Sequence, residues 1–203
     1  PGEDLMSVLV HAEVDGARLD DESLFMESLL ILIGGDETTR HVVSGGMHQL
    51  LLHPDQLRAL RDDPSRIPRA VEEMLRWVTP IQNMMRTAAE DVEIGGHRFR
   101  RGDRLLLLYP SANRDEAVFD EPFRFDAARD PNPHVAFGGR CAHFCLGSSL
   151  ARLELRVLFE ELLRRLPDLA LASDEPPPLR PANFVVGIET LPVRFSPVPR
   201  EGA

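Results

Sequence analysis

The feature that most constrains this chain is an apolar run early in the sequence. Leu24, Phe25, Leu29, Ile31, Leu32 and Ile33 leave almost no polar face between them. A helix that is apolar nearly all round must be covered on several sides, so a helix over 21–50 is expected at the centre of its fold. Asp20 or Asp21 caps its start. Gly34-Gly35-Asp36-Glu37-Thr38-Thr39 interrupts the run, and the helical pattern resumes with Val42, Val43, Met47 and Leu50. Glycines, acids and hydroxyls are poor helix formers. A Thr hydroxyl can also bond the carbonyl one turn back and bend the helix. The alternative is a helix restarting at Asp36, with Thr38 and Thr39 on its surface.

Around this helix the pattern predicts a mainly α chain with small β-sheets. Residues 1–15 read as a short helix broken by Gly16, Pro54 opens one to about Arg61, and Pro68 starts another that runs to Trp77 and stops before Pro80. Strands are expected at Asn83–Thr87, Val92–Ile94, Arg98–Phe99 and Leu105–Tyr109, with Gly95-Gly96 as a turn. Residues 110–135 read as a long loop, which in a compact domain is usually functional. A further helix follows Cys145, with Leu146, Leu150, Leu153 and Val157 on its apolar face and Pro167 at its end. A last strand pair is expected at Phe184–Leu191 and Val193–Phe195.

Composition excludes several classes. The formal charge of −10 argues against nucleic acid as the main partner. Every basic residue is Arg. Two cysteines provide no secretory framework. No apolar run approaches the roughly 20 residues of a membrane span. The chain begins Pro-Gly-Glu-Asp with no targeting segment in view.

Chemistry concentrates in Phe137-Gly138-Gly139-Arg140-Cys141-Ala142-His143-Phe144-Cys145-Leu146-Gly147, a glycine-rich loop running into a helix. A cysteine at a helix start meets unpaired backbone N–H groups, which suits a thiolate metal ligand. Zinc is disfavoured because no second ligand pair stands at metal spacing. One buried structural Cys and one incidental Cys is the bland alternative. Glu73-Met74-Leu75-Arg76 adds an acid and a base on one helix face in an apolar setting.

The cysteine loop, the Gly34–Thr38 interruption, Glu73/Arg76 and Arg86 together resemble, in order, the haem-thiolate monooxygenases of the cytochrome P-450 superfamily. The resemblance implies the C-terminal half of that fold: distal central helix, Glu-x-x-Arg helix, meander, cysteine loop and proximal helix. Residues 1–203 would then be part of one domain whose N-terminal half is absent. It implies haem b with Cys145 as axial ligand, His143 and Arg86 on the propionates, Phe137 shielding the sulfur, and Gly147 allowing close passage of the helix. A solvent-facing strand residue is the other reading of Arg86. Gly34 and Gly35 would leave room for dioxygen, with Glu37 and Thr38 relaying protons. Glu73 and Arg76 would form a structural ion pair locked by Arg124, with Arg129 as the alternative. The cysteine loop has one residue more than the commonest pattern, and Cys141 stands where a glycine is usual; a position needing positive φ would be strained there.

Glu37–His41 with Ser44–Gly46, 72–77, 111–116 and 178–185 resemble bacterial sterol side-chain hydroxylases. This implies cholest-4-en-3-one or a similar apolar substrate, held by Ile31, Gly35, Ile81, Gln82, Asn83, Met84, Val185 and Val186. The implied reaction is RH + O2 + two electrons + two protons → ROH + H2O in the cytoplasm, with a ferredoxin and its reductase as donors. Arg140, Arg152 and Arg156 are candidates for the docking patch. The other histidines, His11, His41, His48, His53, His97 and His134, read as surface or satisfied loop residues. Another apolar substrate (fatty acid, terpenoid or polyketide), a haem-thiolate protein that is not a monooxygenase, or a non-catalytic truncated fragment are the alternatives. A chain lacking half of such a fold is expected to expose large apolar patches.

Overall fold

The computed structural model describes residues 2–139 and 141–197 and divides between Thr38 and Thr39 into two compact units. In the first unit, α1 (Leu5–His11) starts at Asp4, whose carboxylate accepts from the Ser7 N–H at 3.0 Å. The helix is shorter than expected. Asp15 and Gly16, both at positive φ, turn the chain so that β1 (Glu13–Val14) pairs with β2 (Ala17–Arg18). Asp20 then accepts from the Ser23 N–H at 2.8 Å, at the start of α2 (Asp21–Leu52).

α2 is one uninterrupted helix, as expected over 21–50, and the alternative of a helix restarting at Asp36 does not hold. The Thr38 hydroxyl donates to the Gly34 carbonyl at 2.8 Å, so its side chain is satisfied without ending the ladder. Phe25, Met26, Leu30, Leu32 and Ile33 are each more than half exposed. Residues 2–38 otherwise supply only a seven-residue helix and a two-strand hairpin. That is too little surface to cover a stripe this wide.

The second unit holds the core. The rest of α2, α3 (Pro54–Asp62), α4 (Ile67–Val78) and α6 (Ser148–Arg165) bury Val42, Leu50, Leu60, Val71, Met74, Leu155 and Phe159 almost completely. Each such side chain contributes about 1.5–3 kcal/mol relative to exposure. α2 and α4 touch through glycine: a Cβ on Gly46 would sit 2.8 Å from the Met74 side chain, and one on Gly45 2.6 Å from Val78. Pro68 occupies the first turn of α4, where its missing N–H costs nothing. At the other end Thr79 sits at φ 41°; its hydroxyl donates to the Arg76 carbonyl at 2.6 Å and accepts from Asn113 Nδ2 at 2.8 Å.

β3 (Asn83–Thr87) pairs antiparallel with β6 (Arg104–Leu108), and β4 (Val92–Ile94) with β5 (His97–Phe99). Tyr109 begins the short α5 (Tyr109–Ala112) instead of ending a strand, because Pro110 fits a helix first turn and not a ladder. The expected last hairpin does not form. β8 (Val193–Arg194) pairs back with β7 (Ala170–Leu171), while Val185 bridges Ile81 and Ile188 bridges Leu179.

α6 corrects a second expectation. Its buried residues are Ser148, Leu155, Phe159 and Leu163, whereas Leu146, Leu150, Leu153 and Val157 lie exposed. The helix is apolar on two sides, and residues 39–197 cover only one.

Candidate functional site

The loop from Phe137 to Gly147 is shaped by short backbone bonds. The Gly138 N–H donates to the Val135 carbonyl at 2.8 Å with Gly138 at φ 88°, a conformation that favours glycine. The Cys145 N–H then donates back to the Phe137 carbonyl at 3.0 Å, closing the loop on its first residue. Cys141 is not among the positive-φ residues, so the anticipated strain is absent; it donates to Gly139 O at 2.9 Å and accepts from Phe144 N at 3.0 Å. Both cysteines are free thiols and exposed, which rules out the reading with one buried structural Cys.

Cys145 is exposed, as are Leu146, Leu150 and Leu153 after it, and a Cβ on Gly147 would meet nothing within 4 Å. His143 is exposed beside it, and Phe137 lies edge-on to Phe144 with ring centroids 6.3 Å apart. Among the described residues no group of three or more His, Cys, Asp or Glu side chains is placed to hold a metal ion. A metal taken up at Cys145 must therefore bring its other ligands with it. A lone sulfur donor on an open apolar face fits a planar macrocycle that carries its own metal and buries apolar area. Haem meets that description.

Behind the loop lies a buried charge centre. Arg76 Nε and Nη2 donate to Glu73 Oε2 and Oε1 at 2.7 and 2.8 Å, and both side chains are fully buried. Arg76 also reaches the carbonyls of Asn113 and Pro122 at 2.8 and 2.9 Å. Glu73 accepts in addition from Asn132 Nδ2 at 3.1 Å and from the Asp126 N–H at 2.9 Å. The third charge is Arg129, whose Nε lies 3.1 Å from Glu73 Oε2. It is not Arg124, which is more than half exposed and pairs with Glu121 and Asp126. The reason is the turn at Glu121 (φ 44°): the chain here offers Arg76 the Arg124 carbonyl, at 3.3 Å, and directs the Arg124 side chain outward.

Several participants carried no pattern in the sequence. Asn113, fully buried, joins the Thr79 cap to the Val135 N–H, which it accepts at 2.8 Å. Gln56 grips the same loop by donating to Phe125 O at 3.0 Å and accepting from Ala127 N at 2.7 Å. His134 is a satisfied loop residue, as expected: its side chain is 3% exposed and hydrogen-bonded to Glu72. Burial pushes the Glu72 carboxyl up, but His134 and Arg152 outweigh it and hold it at about 2. His41 is also buried, its ring against Gly187, where a Cβ would approach to 2.1 Å.

Of the proposed substrate residues, the structure brings 81–84 beside 183–186. Gln82 N donates to Phe184 O, Val186 N to Pro80 O, and Asn83 Nδ2 to Asn183 O, at 2.8, 2.9 and 2.7 Å. Ile31, Gly35, Glu37 and Thr38 belong to the first unit. A cavity of about 670 Å³ takes Gln82 and Val186 together with Trp77, Arg114 and Leu179, and is not lined by Ile81, Asn83, Met84 or Val185. Burial pushes the Arg114 guanidinium below its usual range. Arg86 is exposed and donates to its neighbour's carbonyl, Met85 O, at 2.9 Å. Of the three arginines expected to form a docking patch, Arg140 lies outside the described residues. Arg156 stands 3.9 Å from Glu160, and Arg152 turns inward to Glu72.

Residues 67–195 match the family described as Cytochrome P450. The steroid C26-monooxygenase of Mycobacterium tuberculosis is 57% identical over 100% of this chain and 51% of its own length. The methyl-branched lipid omega-hydroxylase of the same organism is 47% identical over 96% of this chain and 45% of its own. Among solved structures, a Mycobacterium marinum cytochrome P450 in complex with pseudoionone superposes with a TM-score of 0.91 at 46% identity, covering 96% of this chain and 47% of that one. The chain thus spans about half the length of the relatives it matches.

Proposed function

The chain belongs to the cytochrome P450 family, and from that premise we propose that it is the haem-holding part of a longer monooxygenase acting on an unactivated C–H bond of an apolar, sterol-like substrate. The observation that carries the proposal is Cys145, an exposed thiol at the end of a backbone-closed loop that leads into a helix with exposed leucines. Haem, when bound, supplies the activation of dioxygen and the insertion of one oxygen atom.

This chain's residues do the rest. Cys145 would hold the haem iron through its sulfur. Phe137 shields it, and Gly147 keeps the following helix clear of the ring. His143 and Arg86 hold the propionates. Gly35 leaves room on α2, where Glu37 and the Thr38 hydroxyl pass protons. Glu73, Arg76 and Arg129 hold the loop. Ile31 on α2, and separately Ile81, Gln82, Asn83, Met84, Val185 and Val186 in the second unit, are the candidates for substrate contact. The uncovered apolar faces of α2 and α6 support a longer chain that covers them.

The substrate is proposed as cholest-4-en-3-one or a close relative, since relatives at 56–57% identity are named steroid C26-monooxygenases. Electrons come from a ferredoxin and its reductase, in the cytoplasm. The test is the reduced carbon monoxide difference spectrum of the full-length protein and of Cys145→Ser. The red-shifted Soret band of thiolate ligation, lost in the Ser variant, is expected; its persistence there removes Cys145 as the ligand. A type I spectral shift with cholest-4-en-3-one is expected next. A shift with methyl-branched fatty acids and none with the sterol replaces the substrate.

A further inference from the structure

Glu72, beside the buried Glu73, makes a second and separate set of contacts. Arg152 of α6 donates to both of its oxygens, Nε to Oε1 at 2.6 Å and Nη2 to Oε2 at 2.9 Å. This bidentate grip fixes the plane of the guanidinium. Its carbon then lies 4.6 Å from the centroid of the Phe137 ring. His134, only 3% exposed, supports the same carboxylate from the loop side. Its Nδ1 accepts the Ala136 N–H at 3.2 Å, so Nε2 carries the hydrogen and donates it to Glu72 Oε2 at 3.0 Å. The His134 and Phe137 rings are 6.0 Å apart. Phe137 is the residue whose carbonyl the Cys145 N–H returns to. One carboxylate therefore determines the position of a cation and, through it, of the ring of the residue whose carbonyl the Cys145 N–H returns to.

From this geometry we infer that Glu72 is a positioning residue for the cysteine loop: acting through Arg152 and His134, it sets the Phe137 ring and the charge balance at the Cys145 sulfur. The inference rests on Cys145 being the haem ligand. It also gives Arg152, whose side chain remains 38% exposed, a structural role as a strut.

A strut that only holds shape and one that balances charge differ in a measurable sign. Glu72→Gln leaves the Arg152 cation uncompensated near the sulfur, which favours the reduced iron and raises the midpoint potential. Arg152→Gln removes the cation and lowers it. Arg152→Lys keeps the charge, so its potential stays near the parent value, while the lost fork and stacking still loosen the loop. Haem dissociation from Glu72→Gln and Arg152→Gln is expected to accelerate about 10–100-fold, the usual effect of losing a group that orients a ligand. Glu72→Asp, which keeps the charge, is the folding control.

The measurement is potentiometry of the haem-loaded full-length protein, with the carbon monoxide spectrum recorded on each variant. Opposite shifts for Glu72→Gln and Arg152→Gln establish the inference. Shifts of the same sign, or none, in proteins that retain the thiolate band overturn it. A parent protein without that band overturns instead the assignment of Cys145.

Discussion

Glu73→Gln is expected to cost the protein about 3–5 kcal/mol, the range for breaking a fully buried ion pair from one side. The structure explains why the loss cannot be absorbed. Glu73 is acceptor to four groups: Arg76, Arg129, Asn132 and the Asp126 N–H. A glutamine keeps one oxygen and turns an NH2 toward the Arg76 fork, donor against donor. Replacing both Glu73 and Arg76 with apolar residues is not a rescue either, because Arg76 also serves the carbonyls of Asn113, Pro122 and Arg124. Each buried group left without a partner costs about 1–3 kcal/mol. The double variant should therefore be no more stable than the single one. The assay is urea denaturation of the full-length protein, with amide exchange read at Asp126. Raised salt should leave the difference unchanged, since both side chains are shielded from solvent. A Glu73→Gln loss below about 1 kcal/mol, the scale of an exposed pair, or a stabilised double variant, would refute the reasoning.

Gly187→Ala places a Cβ 2.1 Å from the His41 ring and should lower stability by about 1–3 kcal/mol, read as a shift in thermal midpoint. The folded Glu72 pKa of about 2 lies below its ordinary 4.5, so its stabilisation is complete above pH 4.5 and is lost as pH falls toward 2. Glu72→Gln should flatten that part of an acid-unfolding curve. Cys141→Ser should leave the carbon monoxide spectrum unchanged, because Cys141 is at ordinary φ. Thr38→Ala removes only the bond to Gly34 O, so folding should hold while the product formed per dioxygen consumed falls.

The elements were legible where the pattern is local. α4, β3 and β4 stand at or within a residue of the expected positions because capping, a proline boundary and alternation act over a few residues. The errors are non-local. Periodicity on α6 found an apolar stripe but could not say which of its two stripes packs inside residues 39–197; Leu155 and Phe159 do, Leu150 and Leu153 do not. Neighbouring apolar runs at 184–195 suggested a hairpin, yet the partners of Val185 and Val193 lie at Ile81 and Leu171. Arg124 and Arg129 are chemically equivalent in sequence, and only the turn at Glu121 separates them. Asn113, Gln56 and His134 act through contacts to backbone and side chains distant in sequence, a relation that no spacing encodes.

The two adjacent acids of α4 carry a consequence for how this sequence can drift. Successive residues on a helix point about 100° apart, so Glu72 and Glu73 address different partners: Arg152 and His134 in one direction, Arg129 and Asn132 in the other. Adding or deleting one residue between Pro68 and Arg76 would rotate both away at once. Point substitutions elsewhere on α4 can accumulate singly, but its length cannot change by small steps. Variation in chain length is expected instead in turns such as Gly95-Gly96, where an added Cβ would meet nothing within 4 Å.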